Sequence, residues 1–482
     1  MYAKRERGKN GPHTMTYIFA RPNEGRRVRL RSAGSWNGLA PLTVAALCQM
    51  LAIPTFGQPL STTLRPTRSA AVSSSTVVSD RTDRFASNEL GALTLRQALR
   101  IGNSTNRDIA AARATLDAAR GVLIAAGKRP NPTLTLGTGP GLLGQYRPRD
   151  ADMLVSVSQL IERGNKRALR TQAASHLEDA ARLDADNVRR QFRLALATAY
   201  FALKQEQERV ALAQATQTAF TRSREAAALR LKVGDLARVD VVRLSIEERR
   251  SENDVAQTKS DLGIARNVLA ALLGYERESA SIRVIDAWPL ASERKPTLER
   301  IEGMLETRPD VQAAIARLSA DEAQLQLAQA QRIRDVTLAL VSERNLPANG
   351  GTTLGVQLSM PLLIHNEYDG EIVRAEAELR GTRIDLDKTR ANARLEVARA
   401  LEQFDSARVQ LARYEEKILP DATWVVEAAE FAYKKGAIPL TDLLDARRQY
   451  YAAQRQLLEL RMNFATADAA LASSLEDASL EH

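Results

Sequence analysis

Few residues in this chain could do covalent or metal chemistry, and none are spaced for it. Beyond the leader region the histidines are His176, His365 and the terminal His482, dispersed and without ligand spacing. The only cysteine is Cys48. No glycine-rich phosphate loop, nucleophile elbow or paired-acid constellation appears. His365 near Asp369 falls at an expected strand-to-helix junction and reads as structural. These absences argue against an enzyme, a cofactor and a tight metal site.

What stands out instead is a repeat. Asp108-Ile109-Ala110-Ala111-Ala112 is echoed by Asp310-Val311-Gln312-Ala313-Ala314, and Thr135-Leu136 by Thr337-Leu338. Arg193-Leu194-x-Leu196-Ala197-x-Ala199 returns as Arg394-Leu395-x-Val397-Ala398-x-Ala400. Gly234, five residues before Val239-Asp240, returns as Gly436, five before Thr441-Asp442. The offset is 201 to 202 residues throughout. That is far longer than a solenoid unit, so one large helix-and-strand unit is used twice.

The net charge of +10 sits mostly near the N-terminus. Residues 1–57 hold nine Lys/Arg and two acids, leaving 59 basic and 56 acidic residues, a net of +3, for the remainder. A nucleic-acid partner thereby loses its main support. Arg26, Arg27, Arg29 and Arg31 precede an apolar run, Leu39 to Ile53, with small residues ending near Gly57. That order is the export-signal pattern, and the run is too short to span a membrane. Arg26-Arg27 reads as a chance pair in an Arg-rich leader, and Leu47 before Cys48 does not fit a lipoprotein signal. With 1–57 removed, the chain has no cysteine for a disulfide. It would be periplasmic, secreted or an outer-membrane β-barrel.

The expected organisation is a leader (1–57), a disordered Ser/Thr/Arg-rich spacer (58–90), a first repeat (91–283), a linker (284–296), a second repeat (297–475) and a tail (476–482). Each repeat begins with a helix, near 94–128 and 297–332. Strand-period alternation follows in hairpins at 133–160 and 335–360. Arg167 to Lys232 contains neither proline nor glycine, enough for a helix of roughly 100 Å. Its counterpart, 369–435, is interrupted only by Pro420, where a kink is expected. Helices return at about 236–273 and 441–475. The two shorter helices of each repeat together match the long one, so they can stack beside it. The hairpins then lie at one end, with Gly234 and Gly436 at the other.

Two hairpins give four strands, too few for a closed barrel. Strands of this length with alternating faces suit a tilted transmembrane strand, and open edges do not survive in lipid. Three copies would supply twelve strands. The competing reading is a small soluble sheet capping a coiled coil, supported by the sparse aromatic girdle: Tyr146 is the only aromatic residue near either hairpin.

At this point the chain resembles the TolC-like outer membrane efflux proteins, from Leu93 to about Leu475. The carriers are the duplicated layout, Pro130-Asn131-Pro132 entering the first strand, Gln159-Leu160-Ile161-Glu162-Arg163-Gly164-Asn165-Lys166-Arg167 leaving the second, and Gly436 followed by Thr441-Asp442-Leu443-Leu444-Asp445-Ala446. The Gln159–Arg167 segment looks most like members serving metal-exporting resistance-nodulation-division pumps. The resemblance implies a mostly α fold with a small β part: duplicated helical hairpins forming a periplasmic α-barrel, and four strands per chain in a trimeric 12-stranded transmembrane β-barrel. It implies a homotrimer in outer membrane lipid, docked to a periplasmic adaptor and an inner-membrane pump, conducting substrates passively.

By the same resemblance Asp442 and Asp445 match an acidic pair at the aperture constriction. Carboxylates at i and i+3 share a helix face, although the first turn of a helix favours acids in any protein. Their first-half counterparts are Asp240 and Arg243. Tyr433 matches a latch aromatic whose basic partner position is Ile438 here. The turns containing Gly234, Asp235 and Leu236, and Gly436, Ala437 and Ile438, match adaptor-contacting tips. The alternatives are a periplasmic adaptor protein, which the duplication disfavours, and an exported coiled-coil scaffold.

Overall fold

The structure, a computed structural model, describes residues 91–138, 153–290, 298–344 and 351–475. The leader, spacer and tail lie outside the described residues, as do Cys48, His482 and the loop holding Tyr146. The chain divides into two compact units, Met1–Val72 and Ser73–His482, and everything described belongs to the second.

The first repeat contains α1 (Leu95–Thr105), α2 (Arg107–Ala126), β1 (Thr133–Thr138), β2 (Met153–Ile161), α3 (Lys166–Lys232) and α4 (Arg238–Leu273). The second contains α5 (Leu298–Thr307), α6 (Pro309–Ala330), β3 (Val336–Arg344), β4 (Thr352–Ser359), α7 (Asp369–Arg413), α8 (Leu419–Lys434) and α9 (Leu440–Ser474). A 3₁₀ turn, Glu276–Ser281, follows α4.

The single helix expected at the head of each repeat is in fact two. Asn106 takes extended backbone and its side chain caps Asp108 and Ile109 N–H, ending α1 and starting α2. In the second repeat Arg308-Pro309 does the same, proline standing in the first turn of α6 where no N–H is needed. Pro420 is absorbed differently. The helix widens to a π turn at Tyr414–Ile418 immediately before it. Proline donates no hydrogen bond and crowds the carbonyl four residues back, and a widened turn relieves both.

These breaks let short helices stack end to end. The C-terminal carbonyls of α4 meet the start of α2: Thr105 Oγ1 donates to Leu273 O (2.6 Å) and Asn106 Nδ2 to Leu272 O (3.2 Å). In the second repeat Arg308 Nη1 donates to Ser474 O at the end of α9 (3.2 Å). Arg308 is fully buried and also binds Asp310 (2.8 Å) and Glu396 (2.7 Å). Both acids are held below the usual carboxylate range: burial alone would raise them, but the guanidinium of Arg308 outweighs it.

Four columns result, in the lateral order α4/α2, α3, α9/α6, α7/α8. The core follows these contacts. One cluster packs α1, α3 and α4 around Leu196, Leu203 and Leu269. A second joins α7 to α9, with Phe404 and Phe464 rings 5.5 Å apart. A third closes the tips of all four columns around Phe220, Leu244 and Leu443. The residues after the 3₁₀ turn are strapped onto the first repeat. Val284 bridges Leu93, Tyr200 Oη lies 2.9 Å from Asp286 Oδ2, and Trp288 stacks on Phe201.

The strands form one antiparallel sheet in the order β1-β2-β3-β4, leaving β1 and β4 as free edges. Strand β3 runs to Arg344, three residues beyond the expected Val341. The register aligns Leu136, Val155 and Leu354 in one row and Leu134, Val157, Leu340 and Val356 in the next. These side chains share a face and are exposed, Val356 at 74%. The opposite face is small or polar apart from Leu154, Leu160 and Val341. An exposed apolar face over a polar one is the inverse of a soluble sheet and the pattern of a water-filled membrane barrel. No described helix is long and apolar enough to cross a membrane.

Candidate functional site: the helical tips

The two tips are built alike. Leu231 O accepts from Gly234 N–H and Arg230 O from Asp235 N–H. Tyr433 O and Ala432 O accept likewise from Gly436 and Ala437. This αL-capped helix end requires positive φ at the glycine, +79° at Gly234 and +75° at Gly436. The next helices begin at Arg238 and Leu440, so each tip reverses the chain within a few residues. Gly234, Asp235, Gly436 and Ala437 are exposed, whereas Leu236 and Ile438 are half-buried. Leu236 packs on the cluster joining the tips.

Asp442 and Asp445 both project from the exposed side of α9, because Leu443 and Leu444 between them are buried. Asp442 stands in the first turn, accepting from Thr441 Oγ1 at 3.3 Å. Asp445 is not a free carboxylate: Arg448 Nη1 lies 3.2 Å away. Arg448 also donates to Glu247 of α4 at 2.6 Å, and Glu247, almost buried, accepts from Arg250 at 3.1 Å. The hydrogen bond to Glu247 raises the Arg448 pKa above the ordinary guanidinium value. In the first repeat Asp240 and Arg243 pair with each other at 3.2 Å. The equivalent positions therefore carry a neutral pair in one repeat and surplus negative charge in the other.

Tyr433 is half-buried at the end of α8, with the Arg230 guanidinium 5.8 Å from its ring centroid. Arg230 also bonds Asp235 at 2.7 Å. The cation over this aromatic comes from the first repeat of the same chain, not from the position of Ile438. A further tie joins the repeats where Arg447 reaches Glu430 (2.8 Å) and Ser223 Oγ (2.8 Å). A cavity of about 320 Å³ lies between α3, α4 and α9, lined by Arg209, Phe220, Glu247, Arg250, Arg448 and Tyr451.

The sequence reading reached Asp442, Asp445, Tyr433 and the tip glycines but missed Arg230, Glu247, Arg447 and Arg448. Arg447-Arg448 follow the acids within one helical turn and could have been flagged by spacing. Glu247 could not, because its partner is two hundred residues away. His365 is exposed beyond β4, and His176 lines a shallow cleft between α2 and α3. Among the described residues no group of three or more His, Cys, Asp or Glu could hold a metal ion.

The outer membrane efflux protein family model matches residues 102–275 and 301–476, one block in each repeat. The cobalt-zinc-cadmium resistance protein CzcC of Cupriavidus metallidurans is 26% identical over 382 residues, covering 78% of this chain and 88% of CzcC. The cation efflux system protein CusC of Escherichia coli is 24% identical over 223 residues, covering 45% of this chain and 48% of CusC. Among solved structures, one of CusC superposes with a TM-score of 0.67 at 18% identity, covering 79% of this chain and 91% of that one. The outer membrane protein VceC of Vibrio cholerae superposes with a TM-score of 0.65 at 20% identity, covering 79% and 95%. A duplicated four-column bundle, an inside-out sheet and a family match through both repeats converge: the chain belongs to the outer membrane efflux protein family, the non-enzymatic outer-membrane channels of tripartite export systems.

Proposed function

We propose that three copies of this chain close side to side into one tunnel. That tunnel exports metal cations delivered by a periplasmic adaptor and an inner-membrane pump, through an aperture lined by Asp442 and Asp445. One observation carries the closure. Among the described residues, seven large exposed apolar side chains stand on the first column, α4/α2, and eight on the fourth, α7/α8 with the π turn between them. Two stand on α3 and none on α9 or α6. Exposed apolar surface thus concentrates on the two lateral columns, directly below the free edges of β1 and β4. The fourth column of one copy meets the first column of the next, for instance Trp424 and Phe431 on α8 with Val242 and Ile246 on α4. Such a contact is head-to-tail and must close into a ring.

At the tips a ring of three acidic pairs favours cations and repels anions. The exposed turns at Gly234–Leu236 and Gly436–Ile438 offer the adaptor its contact, and Tyr433 with Arg230 ties the two tips together. The metal cargo rests on the resistance protein CzcC and the cation efflux protein CusC. Deleting the gene tests it. The deletion strain should become sensitive to divalent cobalt, zinc or cadmium and regain resistance from a plasmid copy. Unchanged metal tolerance together with new sensitivity to organic drugs would overturn the cargo. Detergent-extracted outer membranes should show a heat-modifiable trimer that Trp424→Glu with Phe431→Glu weakens, and a monomer in the wild type would overturn the closure.

A further inference from the structure

The apolar face of the sheet ends abruptly in positive charge. Continuing the β2–β3 register one step past Ile161–Val336 sets Arg163 beside Arg334, on the same face as Val157, Ile161, Leu338 and Leu340. Arg170 Nη2 donates to both Lys128 O (3.4 Å) and Glu162 Oε2 (3.3 Å), which sets Lys128 at the same junction as Arg163. Arg163 and Lys128 are exposed and Arg334 is half-buried. At the other end of the same face stands Arg344, exposed, opposite Met153 and Thr352. Arg334 and Arg344 are ten residues apart on one strand, about 33 Å along it. At the usual barrel tilt of about 40° this becomes roughly 25 Å, the height of a lipid-facing band.

Nearby acids do not neutralise the row. Glu162 is taken by Arg170 (2.7 Å), and Asp335 by buried Lys166 (3.0 Å) and the Arg163 backbone N–H (2.8 Å). Asp369 is bound to Arg332, whose Nε also donates to Glu367 O (3.1 Å), and Glu371 lies in the first turn of α7. Like charges side by side across strands repel. An anion between them removes the repulsion, and at this depth the anion at hand is a lipid phosphate.

We propose that Lys128, Arg163 and Arg334 form a binding row for the phosphate of an anionic phospholipid in the inner leaflet of the outer membrane, fixing how deep the channel sits. The proposal rests on the outer-membrane location of the sheet. Arginine suits the role because its planar fork binds phosphate oxygens bidentately and loses little hydration. The row is borne mainly by the first-repeat junction. The second-repeat junction continues the apolar face instead, through Met360, Leu362 and Ile364. Each chain thus presents one such row, and a closed ring of three would present three.

The test uses the purified full-length channel in nanodiscs of phosphatidylethanolamine containing either phosphatidylglycerol or phosphatidylcholine. Retained lipid is counted by native mass spectrometry after mild delipidation. Wild type should keep phosphatidylglycerol in preference to phosphatidylcholine, and excess inorganic phosphate should not displace it. Arg163→Gln and Arg334→Gln should each lower retention about fivefold, while Arg163→Lys retains part of it. Should the double Gln variant fail to assemble, the single variants decide. Equal retention of both lipids, or displacement by free phosphate, would overturn the proposal. Failure to recover wild-type protein in the outer membrane at all would instead overturn the location on which it rests.

Discussion

The acidic pair at the tip of α9 gives a prediction whose sign is set by its neighbours. Asp442 contributes one negative charge. Asp445 contributes another, but Arg448 is bound to it and also to Glu247, which in turn binds Arg250. Together these five groups carry a net charge of −1 per chain. Replacing either aspartate by alanine brings the group to zero, and replacing both makes it +1. At about 10 Å from the axis a unit charge contributes about 0.4 kcal/mol in water. Three chains then give about 1.2 kcal/mol, enriching a cation at the axis roughly eightfold at low salt and excluding an anion by about the same factor, both shrinking once the Debye length falls below about 10 Å. Reversal potentials in a planar bilayer under a KCl gradient measure this directly. Wild type should prefer K⁺, each single Asp→Ala should abolish the preference, and the double should prefer Cl⁻. A double variant that remains as cation-selective as wild type would refute the role of the pair. Singles with full selectivity would refute the count that includes Arg448.

Three further outcomes follow from the packing. Phe404→Ala removes a fully buried ring packed at a tilt against Phe464 and should destabilise the bundle by about 3–5 kcal/mol, read as a lower Tm in detergent. Gly436→Val should cost about 1–2 kcal/mol, since a Cβ there meets open space and only the +75° φ opposes it. Gly436→Asn should cost less. Asp310 and Glu396 are held below their unfolded pKa values, so their contribution is present above the ordinary carboxylate range and lost as pH falls through their folded values. Thermal stability should therefore begin to drop as pH falls into the ordinary carboxylate range, near about pH 4, and go on dropping below it, and Arg308→Met should flatten that drop while lowering Tm at pH 7.

How much could be read from the sequence depended on whether the signal was local. The long helix stood out because nothing in 167–232 breaks it, and the strands because alternation is a two-residue property. The breaks at Asn106 and Arg308 were missed although both carry local marks, an Asn cap and a proline at position 309. Apolar periodicity runs through them and masks the cap. The strap from Val284 to Trp288, taken as linker, could not be seen, because its partners Leu93, Tyr200 and Phe201 are far away in sequence. The ties among Arg230, Tyr433, Glu247 and Arg448 are hidden for the same reason. A charge in a sequence reveals nothing about which distant charge it meets.

The repeat takes on a sharper meaning once these ties are counted. At the waist the two halves solve the same problem with different chemistry, Asn106 on Leu272 O and Arg308 on Ser474 O, and the result is the same stacking. At the tips they do not converge. Asp240 and Arg243 cancel each other, whereas Asp442 and Asp445 outnumber the one arginine bound to them, because Arg447 pairs with Glu430 instead. Divergence at the waist is compensated and divergence at the tip is not. Stability demands equivalence where the columns stack, and an aperture gains from having only one of its two helix pairs charged. The asymmetric tip charge is therefore the feature of the duplicated chain that packing alone does not explain, and the proposed aperture gives it a use in ion selection.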